Sequence, residues 1–173
     1  MTFEALDMVV VDLDSTLADT RQRHHLSPTE DPTKTWVDYA GACIGDAPIE
    51  GSIALVRLLY PHYFIYILTG RDGSSRLQTE TWLDIHGVPY DSLRMREIGD
   101  IEGNGHYKAT EIEKMRRAGF RDKLFIDDWP SVCETVENEG TPALCVNPRY
   151  IDLSMKGYAE LVAAQIDNPA QVK

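Results

Sequence analysis

Residues 8–11 are four apolar residues, three of them valine, and they stand directly before two aspartates at alternate positions, Asp12 and Asp14. Such a run predicts a strand that is buried on both faces of a sheet. Because unpaired carboxylates are costly to bury, stability alone does not explain two of them at the end of this strand. Aspartate is also common in turns, so this pair considered alone fits turn chemistry equally well. The rest of the chain has to decide between a functional site and a turn.

Strand-like and helix-like segments alternate along the chain. Residues 63–68 and 123–126 are apolar runs typical of buried strands, a weaker strand is predicted within residues 88–95, and a further one at residues 143–146. Helical patterns lie between and after these runs, at residues 35–44, 53–59, 75–85, 106–118, 130–136 and 158–166. This alternation predicts an α/β fold of three layers, in which a parallel β-sheet carries helices on both faces.

The chain of 173 residues is predicted to form one domain, over residues 1–173, with a small insert at about residues 18–50. Within the insert, Trp36, Val37, Ala40 and Ile44 recur at spacings of three and four. This spacing predicts one short helix over residues 35–44 with a shared apolar face. The insert follows the first strand directly, so it is either a flap or lid over the strand ends or an ordinary surface excursion.

The composition is that of a soluble globular protein, with 43% hydrophobic and 26% charged residues. The formal net charge of −11 argues against unspecific binding to nucleic acids or anionic membranes, which a basic surface would attract. No apolar stretch approaches the roughly 20 residues of a membrane span. The first seven residues lack the basic and then apolar pattern of a signal peptide.

The cysteines are an odd number without C-x-x-C spacing, namely Cys43, Cys133 and Cys145. This pattern predicts neither a disulfide framework nor a zinc site. Buried and reduced thiols in a cytoplasmic protein are the expected state. The histidines are scattered without ligand spacing, so a transition-metal site is not predicted either.

Polar residues stand at the carboxyl ends of three predicted strands. They are Asp12 and Asp14 after the first strand, Thr69 after residues 63–68, and the pair Asp127 and Asp128 after residues 123–126. Parallel strands place these ends at one edge of the sheet, which is where ligands bind in such folds. Clustered carboxylates repel one another and need a cation, and an oxygen-rich site suits Mg²⁺. A cation there would also allow a phosphate substrate to bind despite the negative net charge.

Lys108 is predicted in the first turn of a helix, where the helix dipole disfavours a positive charge. An anionic partner would explain its position, and so would plain solvent exposure. In the first case, Lys108 and Thr69 would supply a charge and a hydrogen-bond donor to a transferring phosphoryl group. One carboxylate could act as nucleophile, while a second protonates the leaving oxygen and then deprotonates the attacking water.

The order of these residues resembles the haloacid dehalogenase superfamily. Its four motifs match Asp12-x-Asp14-x-Thr16, Thr69, Lys108 and the acidic pair at 127–128, in that order along residues 8–128. The likeness implies a Mg²⁺-dependent enzyme on the α/β fold predicted above. An aspartate at the second position of the first motif favours phosphatases and phosphotransferases over dehalogenases.

The resemblance also implies roles for single residues. Asp12 is the implied nucleophile and Asp14 the implied general acid and base, while Thr69 and Lys108 are implied phosphate binders. Mg²⁺ is implied at the Asp12 carboxylate, the Asp14 backbone carbonyl and the acidic pair. Within that pair we favour Asp128 as the direct ligand and Asp127 as its partner.

A narrower resemblance is to the 3′-phosphatase domain of phage-type polynucleotide kinases. It rests on residues 68–71, 95–97, 99–100, 108 and 124–128. It implies substrate contact by Arg71, with Arg23 and His24 of the insert as further contacts, and Thr16 and Gly70 are placed in the same substrate-binding set. The expected substrate is a nucleotide or a polynucleotide 3′-phosphate, and the alternative is a 5′(3′)-nucleotidase or another small-molecule phosphatase.

Two features depart from these relatives. Related phosphatases often carry arginine after the acidic pair, whereas this chain has Trp129. No G-x-x-x-x-G-K-S/T sequence is present, so the kinase half of a polynucleotide kinase is not expected here.

The main alternative to an enzyme is a receiver-like domain, which accepts a phosphoryl group without catalysing turnover. Receivers also place an acidic pair, a phosphorylated aspartate, a threonine and a lysine on a parallel sheet. Their acidic pair comes first in the chain, whereas here the D-x-D-x-T motif comes first and the acidic pair last. The order of the motifs therefore favours the hydrolase.

Overall fold

The computed structural model describes residues 5–146 of the chain. The strands are β1 (Leu6–Val11), β2 (Ala18–Asp19), β3 (Ala47–Pro48), β4 (Phe64–Asp72), β5 (Ser92–Arg96), β6 (Phe120–Asp127) and β7 (Ala143–Cys145). The α-helices are α1 (Trp36–Gly41), α2 (Glu50–Leu59), α3 (Arg76–Ile85), α4 (Asn104–Arg117) and α5 (Pro130–Asn138). Short 3₁₀ helices occupy Thr20–Leu26, Ala42–Gly45 and Gly73–Ser75. The helix expected at residues 158–166 lies outside the described residues.

β1 lies at the centre of a five-stranded sheet of order β5-β4-β1-β6-β7. Every pairing in this sheet is parallel. The central position explains why residues 8–11 are all apolar, since neighbours cover both edges and helices cover both faces. The predicted α/β fold with a parallel sheet is confirmed, and Asp12 follows directly after its central strand.

The two faces of the sheet carry separate apolar cores. Val9 and Val11 point to one face, where they pack with residues of α2 and α3. Met8 and Val10 point to the other face and pack with residues of α4 and α5. The alternation of side chains along β1 thereby attaches helices to both faces, as the sequence predicted.

The two ends of the segment between β1 and α2 lie next to each other. β2 and β3 pair antiparallel, with Ala18 opposite Pro48 and Asp19 opposite Ala47. This pair closes the ends of a loop that contains α1 and two 3₁₀ helices. The segment is therefore an insertion anchored by a two-stranded ribbon immediately beyond the end of β1.

The prediction of one helix over residues 35–44 is wrong, and its apolar residues do not share one buried face. α1 ends at Gly41, and a 3₁₀ helix follows it. Trp36 is 57% exposed and Ile44 is 50% exposed, whereas Ala40 is buried. The physical reason is that α1 packs on a buried charge: the guanidinium of Arg23, which pairs with Asp46, donates to the Tyr39 carbonyl and lies over the Tyr39 ring.

α3 follows a capped 3₁₀ helix directly, and one of its apolar residues is exposed. Asp72 caps the 3₁₀ helix Gly73–Ser75, since its Oδ1 accepts the Ser74 N–H at 2.9 Å. Leu77 is 74% exposed because Trp82 and Leu83 already fill the face of α3 that meets the sheet.

The cysteines follow the expectation only in part. All three are free, and Cys43 and Cys133 are buried, but Cys145 at the end of β7 is exposed. None of the helices between residues 5 and 146 combines the length and the apolar character needed to cross a bilayer.

Candidate active site

Asp12 is fixed at the end of β1 by both its backbone and its side chain. Its N–H donates to the Ile126 carbonyl at 2.8 Å, which extends the pairing of β1 with β6 by one residue. Its Oδ2 accepts the Thr16 hydroxyl at 3.1 Å, and its Oδ1 accepts the Lys108 ammonium at 2.6 Å. The chain then turns sharply, with Ser15 at a φ of +61°, a left-handed conformation that is uncommon for a residue other than glycine.

Lys108 lies between two carboxylates of different strand ends. Its Nζ donates to Asp12 Oδ1 and to Asp127 Oδ2, each at 2.6 Å. Burial disfavours the charged form, but Asp12 and Asp127 outweigh this effect and raise the pKa of Lys108. Plain solvent exposure is therefore wrong for this lysine, which is buried, and its anionic partners belong to the same chain.

Three buried carboxylates, those of Asp12, Asp127 and Asp128, bring oxygen atoms within 4.8 Å of one another. Burial raises the pKa of Asp12 to about 7 against the attraction of Lys108, and Asp127 adds repulsion. Burial also raises the pKa of Asp128 to about 8, with further repulsion from Asp12 and Asp127. A cluster of hard oxygen donors that resists full ionisation fits Mg²⁺, because the cation would offset the repulsion.

The two members of the acidic pair have different surroundings. Asp127 is engaged through both oxygens, since Oδ2 accepts from Lys108 and Oδ1 accepts the Trp129 N–H at 2.8 Å. Asp128 keeps its carboxylate beside Asp12, and burial together with the repulsion of Asp12 and Asp127 raises its pKa. This arrangement favours Asp128 as a direct ligand and Asp127 as the residue that holds Lys108.

Asp14 turns toward two arginines instead of the acidic cluster. Its Oδ1 accepts from Arg23 Nη2 at 2.6 Å and from Arg71 Nε at 3.0 Å. Burial opposes the ionisation of Asp14, but Arg71 and Arg23 outweigh it and lower its pKa to about 2. The Asp14 side chain is therefore an anion held by two guanidinium groups, one from the insert and one from the end of β4.

Sequence reasoning missed Asp46, which completes this network. Its Oδ1 and Oδ2 each accept from Arg23 Nε at 3.0 Å, and Oδ2 lies 3.3 Å from Arg71 Nη2. Its backbone carbonyl accepts the Trp82 indole N–H at 2.8 Å. Asp46 follows no predicted strand and belongs to no motif, so the local sequence carried no signal, and only the return of the insert through β3 brings it to the arginines.

The other residues placed in the site have distinct surroundings. Thr69 is fully buried inside β4, which continues to Asp72 instead of ending before the threonine as predicted, and its Oγ1 accepts the Arg71 N–H at 3.2 Å. Gly70 passes so close to α4 that a Cβ built on it would lie 2.8 Å from Asn104 Oδ1. His24 is only partly buried in the insert, with Nε2 3.4 Å from the Thr20 hydroxyl.

The fold gathers these groups in two adjoining clusters. Asp12, Thr16, Lys108 and the acidic pair form the first, at the ends of β1 and β6. Asp14, Arg23, Asp46 and Arg71 form the second, below the insert. The first brings together carboxylates that could hold a cation, and the second holds guanidinium groups of the kind that bind phosphate oxygens.

Comparison with known proteins identifies the family and solved structures to which the chain is similar. The family model of the polynucleotide kinase PNKP phosphatase domain matches residues 6–149. No curated protein sequence matched the chain. A chain of the Pnkp1/Rnl/Hen1 RNA repair complex has a TM-score of 0.71 and 20% identity, over 84% of this chain and 44% of that chain. The present chain thus spans less than half the length of that protein.

Two further structures share the fold. The haloacid dehalogenase-like family protein SP0104 from Streptococcus pneumoniae has a TM-score of 0.60 and 16% identity, over 92% of this chain and all of that one. The HAD-hydrolase YfnB from Bacillus subtilis, solved bound to magnesium, has a TM-score of 0.59 and 13% identity, over 83% of this chain and 90% of that one. The chain belongs to the family of polynucleotide kinase PNKP phosphatase domains, within the haloacid dehalogenase-like hydrolases, and is a phosphatase of that class.

Proposed function

We propose that the protein is a Mg²⁺-dependent phosphomonoester hydrolase that works through an aspartyl-phosphate on Asp12. The observation that carries this proposal is the cluster of three carboxylates within 4.8 Å, with Lys108 held between two of them. Asp12 and Asp128 would hold Mg²⁺, which supplies charge neutralisation for the transferring phosphoryl group. The magnesium in the structure of YfnB, a protein of the same fold, is consistent with this choice of ion.

The first chemical step is attack by a carboxylate oxygen of Asp12 on phosphorus. The new O–P bond forms as the bond to the leaving alkoxide breaks, and a proton must reach that alkoxide. Lys108 and Thr69 stabilise the phosphoryl oxygens during the transfer. In the second step, water attacks the aspartyl-phosphate, loses a proton to Asp14 and releases inorganic phosphate with Asp12 regenerated.

Asp14 can donate the first proton only after its arginines have been drawn away. With both guanidinium groups in contact, its pKa is about 2, so the carboxyl is ionised at neutral pH. A phosphate dianion competes for Arg23 and Arg71, because bidentate pairing with phosphate is as favourable for arginine as pairing with carboxylate. Substrate binding thereby raises the pKa of Asp14 and prepares it to act as the acid.

The substrate we propose is a nucleotide or polynucleotide end that carries a 3′-phosphate. The family match supports this choice, since the matched model describes the phosphatase domain of polynucleotide kinase. A chain with a net charge of −11 does not favour long stretches of nucleic acid, so a short end or a mononucleotide fits better. A 5′(3′)-nucleotidase is the alternative, and the free cysteines fit a reducing compartment such as the cytoplasm.

Phosphate release under matched conditions tests the proposal. We expect turnover of 3′-phosphorylated oligonucleotides and nucleoside 3′-monophosphates with Mg²⁺, and loss of turnover with EDTA. Asp12→Asn should reduce turnover at least a thousandfold, whereas the matched change Asp84→Asn, at an exposed position of α3, should not. Many turnovers per enzyme would distinguish a hydrolase from a receiver, which takes up phosphate once. Full activity of Asp12→Asn would contradict the assigned nucleophile, and faster release from 5′-phosphates would favour the nucleotidase.

A further inference from the structure

A groove that the phosphatase chemistry does not use opens beside the acidic cluster. It has a volume of about 520 Å³ and lies between the beginning of α4 and the beginning of α5. Gly103 and Asn104 contribute to one wall, and Trp129 and Ser131 contribute to the other. This volume is within the range of sites that hold small organic ligands.

Each wall of the groove contains a residue that is close along the chain to a residue of the active site. Trp129 directly follows Asp128, and its N–H donates to Asp127 Oδ1 at 2.8 Å. Asn104 precedes Lys108 by one turn of α4, and its Oδ1 accepts from Arg96 Nη2 at 2.9 Å. A group bound in the groove would therefore lie beside a phosphate held by Lys108 and the acidic cluster.

Close packing of α4 on α5 makes one end of the groove rigid. A Cβ built on Gly105 would lie 2.8 Å from Thr135 Oγ1 and 3.0 Å from Thr135 Cβ. Such a distance is incompatible with any side chain at position 105 unless the helices move apart. Because Gly105 has no side chain, α4 can pack this closely on α5, and this packing sets the separation of the two walls.

The chemistry of the lining suits a flat and uncharged ligand. Trp129 is 41% exposed, so protein atoms leave much of this large aromatic side chain open to a ligand. None of the eight described residues that line the groove is a carboxylate, a lysine or an arginine, although the chain has a net charge of −11. His106 also lines the groove, and its Nε2 lies 3.2 Å from Glu102 Oε1. Such a surface stacks with an aromatic ring and offers polar edges from Asn104 and Ser131.

We infer that this groove binds the nucleobase of the nucleotide whose phosphate is removed, with the base stacked on Trp129. The inference rests on the proposed function, since the phosphate at the acidic cluster is what brings the base to the groove. Base–aromatic stacking tolerates every base because each has a π face. The groove thus distinguishes nucleotides from phosphomonoesters without a base, and does so without selecting a sequence.

The test compares two 3′-phosphorylated trinucleotides that differ only at the terminal residue, which either carries its base or is abasic. With the wild-type protein and Mg²⁺, we expect kcat/KM to be about tenfold higher for the substrate with the base. Trp129→Ala should bring this ratio close to one, and Trp129→Phe should keep most of it. Tyr60→Ala is the matched control, because Tyr60 is also 41% exposed but follows α2 at the opposite end of the sheet.

A binding measurement separates failure of this inference from failure of the proposed function. In the Asp12→Asn background with Mg²⁺, a nucleoside 3′-monophosphate should quench tryptophan fluorescence, and inorganic phosphate should not. Trp129→Phe should abolish the quenching, and comparing the mononucleotide with the trinucleotide shows which source of the base binds better.

Hydrolysis without any preference for the base, equal loss on both substrates in Trp129→Ala, or quenching that survives Trp129→Phe would each overturn the inference. Lack of hydrolysis on both substrates would instead contradict the proposed function.

Discussion

At the scale of single residues, the ionisation of Asp14 depends on its two arginine partners. Its ordinary pKa of 3.8 falls to about 2 in the folded chain, because Arg71 and Arg23 outweigh the opposing effect of burial. A group with a lowered folded pKa stabilises the fold above its unfolded pKa, and this contribution is lost as the pH falls through the folded value. The side chain is 28% exposed, so solvent screens the contacts only in part.

We therefore predict a pH-dependent effect of Asp14→Asn on stability. At pH 7 the substitution should lower the free energy of unfolding by about 2 kcal/mol, and the difference should shrink between pH 4 and pH 2. Urea denaturation of both proteins at several pH values measures this difference. A difference that stays constant from pH 7 to pH 2 would show that the arginines do not hold the carboxylate in the way described.

Asp46 is a second residue whose importance depends on its partners. It is buried, and its carboxylate accepts hydrogen bonds from Arg23 and Gln22. Removing one member of a buried ion pair leaves the other without full compensation. We predict that Asp46→Asn lowers the free energy of unfolding by about 3 kcal/mol.

The same substitution should also raise KM more than it lowers kcat, because displaced arginines would bind phosphate less well while Asp12 is untouched. Steady-state kinetics with a 3′-phosphorylated substrate, compared with Asp84→Asn, measures the two effects. Unchanged KM and stability would mean that Arg23 and Arg71 are positioned without Asp46.

At the scale of elements, two helices show that the burial of an apolar residue depends on the elements packed against its helix. Trp36 of α1 is largely exposed, whereas Trp82 of α3 is fully buried and its indole donates to the Asp46 carbonyl. We predict that Trp82→Ala costs about 4 kcal/mol of stability and Trp36→Ala costs less than about 1 kcal/mol. Chemical denaturation of both variants provides the comparison, and equal losses would contradict the burial pattern.

The elements of the sheet could be predicted from the sequence because their apolar runs are buried on both faces. The sequence predicts the start of α4 at residue 106, two residues after its actual start at Asn104, because Gly103 gives no side-chain cap that marks the beginning of the helix. The exposed position of Leu77 had no local signal either, because the pattern of α3 contains more apolar residues than the sheet can cover. Local periodicity predicts that a helix exists, and the packed neighbours decide which of its faces is buried.

At the scale of the whole molecule, the acidic cluster joins the ends of two strands that are far apart in the sequence. Asp12 follows β1 and Asp128 follows β6, so a cation bound by both should stabilise the folded chain. We predict that Mg²⁺ at about ten times its Kd raises the free energy of unfolding by about 1.4 kcal/mol and Tm by about 4 °C.

Thermal denaturation with and without Mg²⁺, at equal ionic strength, measures this stabilisation. Asp128→Asn should remove most of the increase in Tm, whereas Asp84→Asn should keep it. An increase of the same size in Asp128→Asn would mean that the cation binds elsewhere.

The sequence by itself determined the parallel sheet and the set of polar residues at its edge. This was possible because buried strands need unbroken apolar runs, and because parallel strands present their carboxyl ends together. It also determined the order of motifs on which the family resemblance rests. The orientation of the side chains at that edge had no such local signature.

Only the tertiary structure decided that Lys108 is held by Asp12 and Asp127, that Asp14 faces two arginines, and that Asp46 supports them. It also decided that Trp129 borders an open groove. The physical reason is that each of these contacts joins residues from different elements, so their partners are set by the packing of strands, helices and insert. Periodicity and composition describe one element at a time and carry no information on which distant charge a side chain will meet.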